Sequence, residues 1–190
     1  MSINPMEIRG NWDKGYVLDN HVLESISRHE NAQGPAQFDT TRTPLGELMF
    51  ELKYRGRYSA ANDILEMIKP FLASFTELQH VNLVIPAPAS TRRDFQPVDE
   101  IAMAIANYLH IPFTDAILVK TSPLKSKNMS KSSKKLAGSI VARKKAGRPI
   151  NILLVDDLYE SGKTLHECVS VLRDDSMIRD IYVLAMTKTR

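Results

Sequence analysis

The chain has 190 residues, 43% of them hydrophobic, with a formal net charge of +3, which suits one substantial core and a globular fold. It contains no run of the roughly 18 apolar residues that a membrane span needs, and its first ten residues, MSINPMEIRG, lack the apolar core of a signal peptide, so a cytoplasmic protein without a membrane partner is expected. A single cysteine, Cys168, excludes an intramolecular disulfide framework and any multi-cysteine zinc site.

In chain order, Gly15 to Leu23 admits a strand, and His29 to Gln37, with Gly34-Pro35, reads as a loop or turn. Trp12, Tyr16 and His21 fit either a hood over a bound molecule or plain packing. Residues 1–43 form the expected N-terminal extension or hood, and residues 44–190 the expected α/β domain. Leu45, Leu48, Met49 and Leu52 share a helical face; Tyr58, Ala61, Ile64, Leu65 and Ile68 share another, on a helix expected to stop before Pro70. Four short runs rich in β-branched residues, Val81 to Ile85, Ala116 to Val119, Ile150 to Val155 and Ile181 to Met186, have the length of strands buried on both faces. Pro97 opens a helix carrying Val98, Ile101, Ala102, Ile105 and Leu109 on one side, and Leu165, Cys168, Val169 and Leu172 mark another. Strand and helix alternate, which predicts an α/β fold with a parallel sheet. Cys168 on an apolar helix face is expected to be a structural thiol, and His29, His80, His110 and His166 show no metal-ligand spacing.

Charge is distributed unevenly. From Ala116 to Val155 there is no acidic residue, while Lys120, Lys125, Lys127, Lys131, Lys134, Lys135, Arg143, Lys144, Lys145 and Arg148 crowd together. Taken alone, such a run is either a solvated loop or an anion-binding surface.

The stretch Asn151 to Leu165, NILLVDDLYESGKTL, reads as a buried strand, a loop from Asp156 to Ser161 and a helix beginning near Gly162. The crevice at the C-terminal ends of parallel strands binds ligands, and a helix N-terminus offers unpaired N–H groups to an anion. Ser161-Gly162-Lys163-Thr164 has the look of the end of an ATP-binding loop, but that design needs glycine five positions before Gly162, where this chain has Asp157. A carboxylate there repels a triphosphate.

Ile152 to Thr164 instead resembles the 5-phosphoribosyl 1-pyrophosphate (PRPP) motif of type I phosphoribosyltransferases. The resemblance implies a parallel-sheet fold with helices on both faces and a small N-terminal hood. It assigns Asp156 and Asp157 to the ribose 2- and 3-hydroxyls and to the vicinity of Mg2+, the implied cofactor, and Glu160, Ser161, Gly162, Lys163 and Thr164 to the 5-phosphate. Glu160 departs from the pattern, since many family members carry Thr, Ser or Ala there; an outward side chain would leave only its N–H in the site. Leu52-Lys53-Tyr54-Arg55-Gly56, Ile85-Pro86-Ala87-Pro88-Ala89-Ser90 and Gln96-Pro97 occur in an order similar to the ComF-like branch, without that branch's N-terminal four-cysteine zinc module.

On this resemblance, the turn from Ala87 to Arg93, which by itself is only a Pro-rich surface loop, becomes the pyrophosphate loop through Ala89, Ser90, Thr91 and Arg92. The segment Lys120 to Lys135 takes the place of a mobile catalytic loop, with Lys120, Lys125 and Lys127 as candidates for closing on pyrophosphate. The implied function is transfer of a phosphoribosyl group from PRPP to a nitrogenous acceptor, with little room after Met186 for a C-terminal acceptor pocket. The other reading is a non-catalytic PRPP or nucleotide binder with a nucleic-acid-associated role; a homodimer is compatible with both.

Overall fold

In a computed structural model, the structure describes residues 2–28, 37–89, 95–121 and 139–189. The fold is α/β. Its centre is a five-stranded sheet in the order β1, β2, β9, β8, β5, built from Met6–Glu7, Lys14–Asn20, Ile178–Lys188, Ile150–Tyr159 and Leu83–Pro86 respectively. Only β1 runs antiparallel to its neighbour; β2, β9, β8 and β5 are mutually parallel. The apolar runs of β8 and β9 explain their place at the middle: Ile152 to Val155 and Ile181 to Met186 are buried on both sides of the sheet.

Two cores result. On one face, α1 (Pro44–Tyr54), α2 (Ala60–Ser74) and α3 (Pro97–Leu109) pack Leu52, Ile64, Ile68, Ile101 and Ile105 against Leu153, Val155, Leu184 and Met186. On the other, α4 (Lys163–Arg173) packs Leu165, Cys168, Val169 and Leu172 against Ile152, Leu154, Ile181 and Val183. Successive strand residues point to opposite faces, so β5, β8 and β9 each feed both cores.

Within the expected N-terminal extension, β2 joins the sheet, pairing along β9 from Lys14 opposite Tyr182 to Asn20 opposite Lys188. Residues after the turn at His21 form a separate antiparallel pair, β3 (Val22–Arg28) with β4 (Gln37–Arg42), and the loop expected from His29 to Gln37 lies, up to residue 36, outside the described residues. Ala116 to Val119 is not a strand of the parallel sheet. Leu118–Lys120 (β6) pairs antiparallel with Ile140–Ala142 (β7), and only one side of this ribbon is apolar and covered, Leu118 and Ile140 being buried while Val141 is exposed. The edge of β5 is instead bordered by Pro112 to Thr114, whose backbone exchanges hydrogen bonds with Val84.

Helix α2 does not stop before Pro70 but continues to Ser74. Pro70 lies on the exposed side, so the carbonyl its ring leaves unpaired faces water, while Ile68 and Leu72 on either side of it are buried. Helix α1 begins on a cap that the sequence pattern did not mark. The Thr43 hydroxyl accepts from the Gly46 N–H at 2.9 Å and donates to the Asn20 carbonyl at 2.6 Å. Gly46 is required there, because a Cβ would sit 2.1 Å from the His21 carbonyl oxygen. That contact draws α1 onto the end of β2 and places the last turn of the helix, with Lys53, beside the C-terminal ends of the parallel strands.

Candidate active site

A cleft of about 290 Å³ opens at the C-terminal ends of β5 and β8. Its walls come from distant parts of the chain: Lys53 of α1, Ala87 to Ala89 after β5, Gln96 and Pro97 at the start of α3, Lys120 at the end of β6, and Asp156 to Leu165. This is the crevice position in which open parallel sheets hold ligands.

The floor differs from the expected loop. Strand β8 runs on to Tyr159, so Asp156 and Asp157 are strand residues whose side chains leave opposite faces of the sheet. Asp157 reaches toward α1, where its Oδ2 accepts from Lys53 Nζ at 2.7 Å. Asp156 lies on the α4 side; its charge raises the thiol of Cys168, which burial already pushes up. The Asp156 Oδ1 also accepts the Asp157 backbone N–H at 2.9 Å. Burial, reinforced by the Asp157 carboxylate, pushes the Asp156 carboxyl up to about 7, against the opposing effects of that N–H, Lys53 and Lys120. Burial alone would lower the Lys53 ammonium, but the charge and hydrogen bond of Asp157 outweigh it and hold its pKa above the ordinary lysine value.

Beyond Tyr159 the chain turns through Glu160 and Ser161, both exposed, into Gly162, the N-cap of α4. Gly162 has φ 71°, a left-handed backbone, and a Cβ there would meet the Tyr159 hydroxyl at 3.0 Å. The N–H groups of Lys163, Thr164 and Leu165 lie in the first turn and have no intrahelical acceptor, so they face the cleft with the positive end of the helix dipole. The expected phosphate residues 160 to 164 therefore share one wall, beside the paired acids. The exposed carboxylate of Glu160 has room to stay away from an anion held by the N–H groups.

Of the expected pyrophosphate loop, Ala89 lines the cleft, while Ser90, Thr91, Arg92 and Arg93 lie outside the described residues. Lys120 lines the cleft; Lys125 and Lys127 lie outside the described residues. Trp12 and Tyr16 are packing residues. The Trp12 ring lies 4.9 Å from that of His166, tilted by 43°, and its N–H donates to the Ile8 carbonyl, and Tyr16 sits edge-on to Phe71 and Phe75.

Two groups escaped the sequence reading. Lys53 stands in a quoted motif, but its partner is 104 positions away, a relation that only the docking of α1 reveals. Thr187, fully buried on β9, donates to the Asp157 carbonyl at 3.3 Å, and His21 Nδ1 stands 3.1 Å from the same hydroxyl. Which of the two groups donates in the His21 to Thr187 contact follows the tautomer of the ring. Burial, with Arg42 and Lys53 nearby, lowers the His21 pKa and favours the neutral ring, although Asp157 and Glu47 oppose this.

For Mg2+ the available donors are Asp156 and Asp157. Among the described residues no three His, Cys, Asp or Glu side chains gather into a metal-holding group. Two carboxylates do not make a complete cage, but they fit a Mg2+ that keeps its waters and binds through substrate oxygens.

Fold and cleft together define an α/β protein with paired strand carboxylates beside an anion-binding helix N-terminus. No protein-family model matches the chain, and no curated protein matches it in sequence. Among solved structures, it is similar to adenine phosphoribosyltransferase from Leishmania tarentolae, with 11% identity, a TM-score of 0.48, and coverage of 97% of this chain and 94% of that one. It is similar to UMP synthase from Leishmania donovani over 81% of this chain and 25% of that one, at 15% identity and a TM-score of 0.39. It is also similar to an allosteric regulatory enzyme of purine biosynthesis over 55% of this chain and 21% of that one, at 18% identity and a TM-score of 0.41. The chain thus spans a quarter or less of those last two proteins. No helix among the described residues is long and apolar enough to cross a membrane.

Proposed function

We propose that the protein is a PRPP-dependent phosphoribosyltransferase that transfers the 5-phosphoribosyl group to a nitrogenous acceptor and releases pyrophosphate. The observation that carries this reading is the placing of Asp156 and Asp157 in the same cleft as the Gly162-capped N-terminus of α4. Such a cleft suits a ligand with vicinal hydroxyls at one end and a phosphate at the other. Ribose hydroxyls donate to the carboxylates, and the phosphate accepts from the N–H groups of the first helical turn.

In the proposed reaction the bond from ribose C1 to the pyrophosphate oxygen breaks and a bond from C1 to the acceptor nitrogen forms, the acceptor's proton passing to solvent or to the leaving group. The electron-poor sugar needs no protein nucleophile; it needs charge complementarity and the exclusion of stray water. Asp156 and Asp157 orient the sugar, and Lys120 brings positive charge to the cleft from the β6 side. Asp156 and Asp157 would hold a Mg2+ together with the substrate, and that ion would supply charge neutralisation on the diphosphate. The turn after Ala89 and the basic segment after Lys120 are proposed to complete the pyrophosphate side. A relation to the ComF-like branch rests on the order of the LKYRG, IPAPAS and QP segments ahead of the PRPP-like motif.

The test is pyrophosphate release from PRPP and Mg2+ with a panel of nucleobases and amines. Acceptor-dependent release supports the transferase. PRPP binding without release by any acceptor points to the non-catalytic binder, and absence of PRPP binding at millimolar concentration removes the transferase and leaves only a nucleotide binder.

A further inference from the structure

Lys53 is the cleft residue with the most specific contact and no role in the reading above. It is carried by α1, whose position is set by the Thr43 cap and the close approach of Gly46 to His21. Its ammonium lies 2.7 Å from Asp157 Oδ2, and the two side chains are only 28% and 22% exposed. Asp157 is held from behind as well, through the hydrogen bond from buried Thr187 to its backbone carbonyl. The carboxylate thus presents one oxygen to a fixed cation of the protein, at the end of the cleft where the proposed reaction needs it for ribose hydroxyls and for a divalent cation.

We propose that Lys53 is a built-in occupant of the cation position on Asp157, so that a divalent cation and the sugar gain this carboxylate only by displacing the ammonium. The proposal rests on the assignment of Asp157 to the ligand in the transferase reading. It follows from the geometry of one oxygen and one partner. An ammonium at 2.7 Å shares the Oδ2 lone pairs and repels a second cation, and a half-shielded pair is screened less by solvent than a surface pair. In the free protein the ammonium offsets the repulsion between two adjacent carboxylates. When displaced, it remains in the wall of the same cleft, so an entering divalent cation adds its charge to that of the ammonium.

The experiment is titration of the full chain with Mn2+ alone, near pH 8, followed by the loss of the free-ion electron paramagnetic resonance signal. Lys53→Met is expected to tighten Mn2+ binding by about three- to tenfold, the range that loss of one partly shielded ion-pair partner allows. Lys53→Arg keeps a cation on Asp157 and should stay within about twofold of the parent. Lys163→Met removes a charge from the same cleft that has no acidic partner among the described residues, and it measures the general field. An equal gain from Lys163→Met, or no gain from Lys53→Met in a protein whose thermal unfolding remains cooperative, would overturn the proposal. In an Asp157→Asn background, Lys53→Met should give no gain; a persisting gain would place the cation elsewhere and also overturn it. PRPP enters none of these titrations. A Mn2+ gain in a protein that never binds PRPP keeps the role of Lys53 and removes the transferase, whereas pyrophosphate release without the gain does the reverse.

Discussion

Gly162→Ala tests the joint on which the anion wall depends. With φ 71° and ψ −4°, an alanine at this N-cap takes a left-handed backbone at a cost of about 1 kcal/mol. Its methyl group would also lie 3.0 to 3.2 Å from the end of the Tyr159 ring, which must yield by a few tenths of an ångström and is partly buried against the α4 core. Together these give a loss of about 1–2 kcal/mol, or roughly 2–8 °C in melting temperature for a chain of this size. Gly162→Asn separates the two causes: asparagine tolerates the left-handed region but carries the same Cβ, so it should cost less than alanine. Urea unfolding of the three proteins supplies the stabilities, and calorimetric titration with ribose 5-phosphate reports whether the first turn of α4 still receives a phosphate. An alanine variant as stable as the parent, with unchanged ribose 5-phosphate affinity, would refute the left-handed cap and its part in the site.

The double change Asp156→Asn with Asp157→Asn should weaken PRPP binding on the order of a hundredfold, since charge-assisted hydrogen bonds contribute about 1.5–3 kcal/mol each; calorimetry showing parental affinity in the folded variant would remove the ribose assignment. Because burial raises the Asp156 carboxyl from 3.8 to about 7, the folded chain keeps a proton there that the unfolded chain has lost, so stability should fall as pH rises from about 4 to about 7. Asp156→Asn should flatten that part of the urea-derived profile, leaving the same-signed contribution of Asp99, which burial with Asp115 and Glu100 pushes up to about 6; an unchanged slope would count against the buried carboxyl. Gly46→Ala should cost about 1–3 kcal/mol despite alanine's better helix propensity, because the added methyl meets the His21 carbonyl at 2.1 Å, and calorimetric melting above the parent would contradict that packing. Cys168→Ser places a hydroxyl in a fully buried apolar setting and should lower stability by about 1–3 kcal/mol while leaving PRPP affinity within twofold; a large affinity loss would give the thiol a part in the site.

The central motif was legible because its signals are local. The run Ile152 to Val155 has the unbroken apolar character of a strand covered on both faces, and Gly162 ahead of a helical pattern marks a turn into an anion-binding terminus. The extent of β8 was not legible, because Asp156 and Asp157 are poor strand residues, and what keeps them extended is pairing with Ala185 to Lys188 on β9. Pro70 misled for a similar reason, its local cost being outweighed by the burial of Leu72 and Phe75 beyond it. Ala116 to Val119 carries the composition of a sheet strand, and composition does not say which sheet a strand joins. The Lys53 to Asp157 pair and the His21, Thr187 and Asp157 line depend on long-range docking and leave no periodicity for a sequence pattern to show.

The pairing of β2 with β9 governs how the chain can be made. Strand β9 stands between β2 and β8, yet it follows every other described element in the chain, and the Asp13 side chain receives the N–H of Ile181 across 168 positions. During synthesis at about 5–20 residues per second, β2 therefore waits roughly 10 to 30 s for its neighbour, with a row of unpaired amides and carbonyls along one side. The two core faces cannot close over the sheet until that last strand leaves the ribosome. A nascent chain arrested ahead of Ile178 should accordingly remain open to protease and to holding chaperones, and the cleft at the strand ends should form only once β9 has emerged.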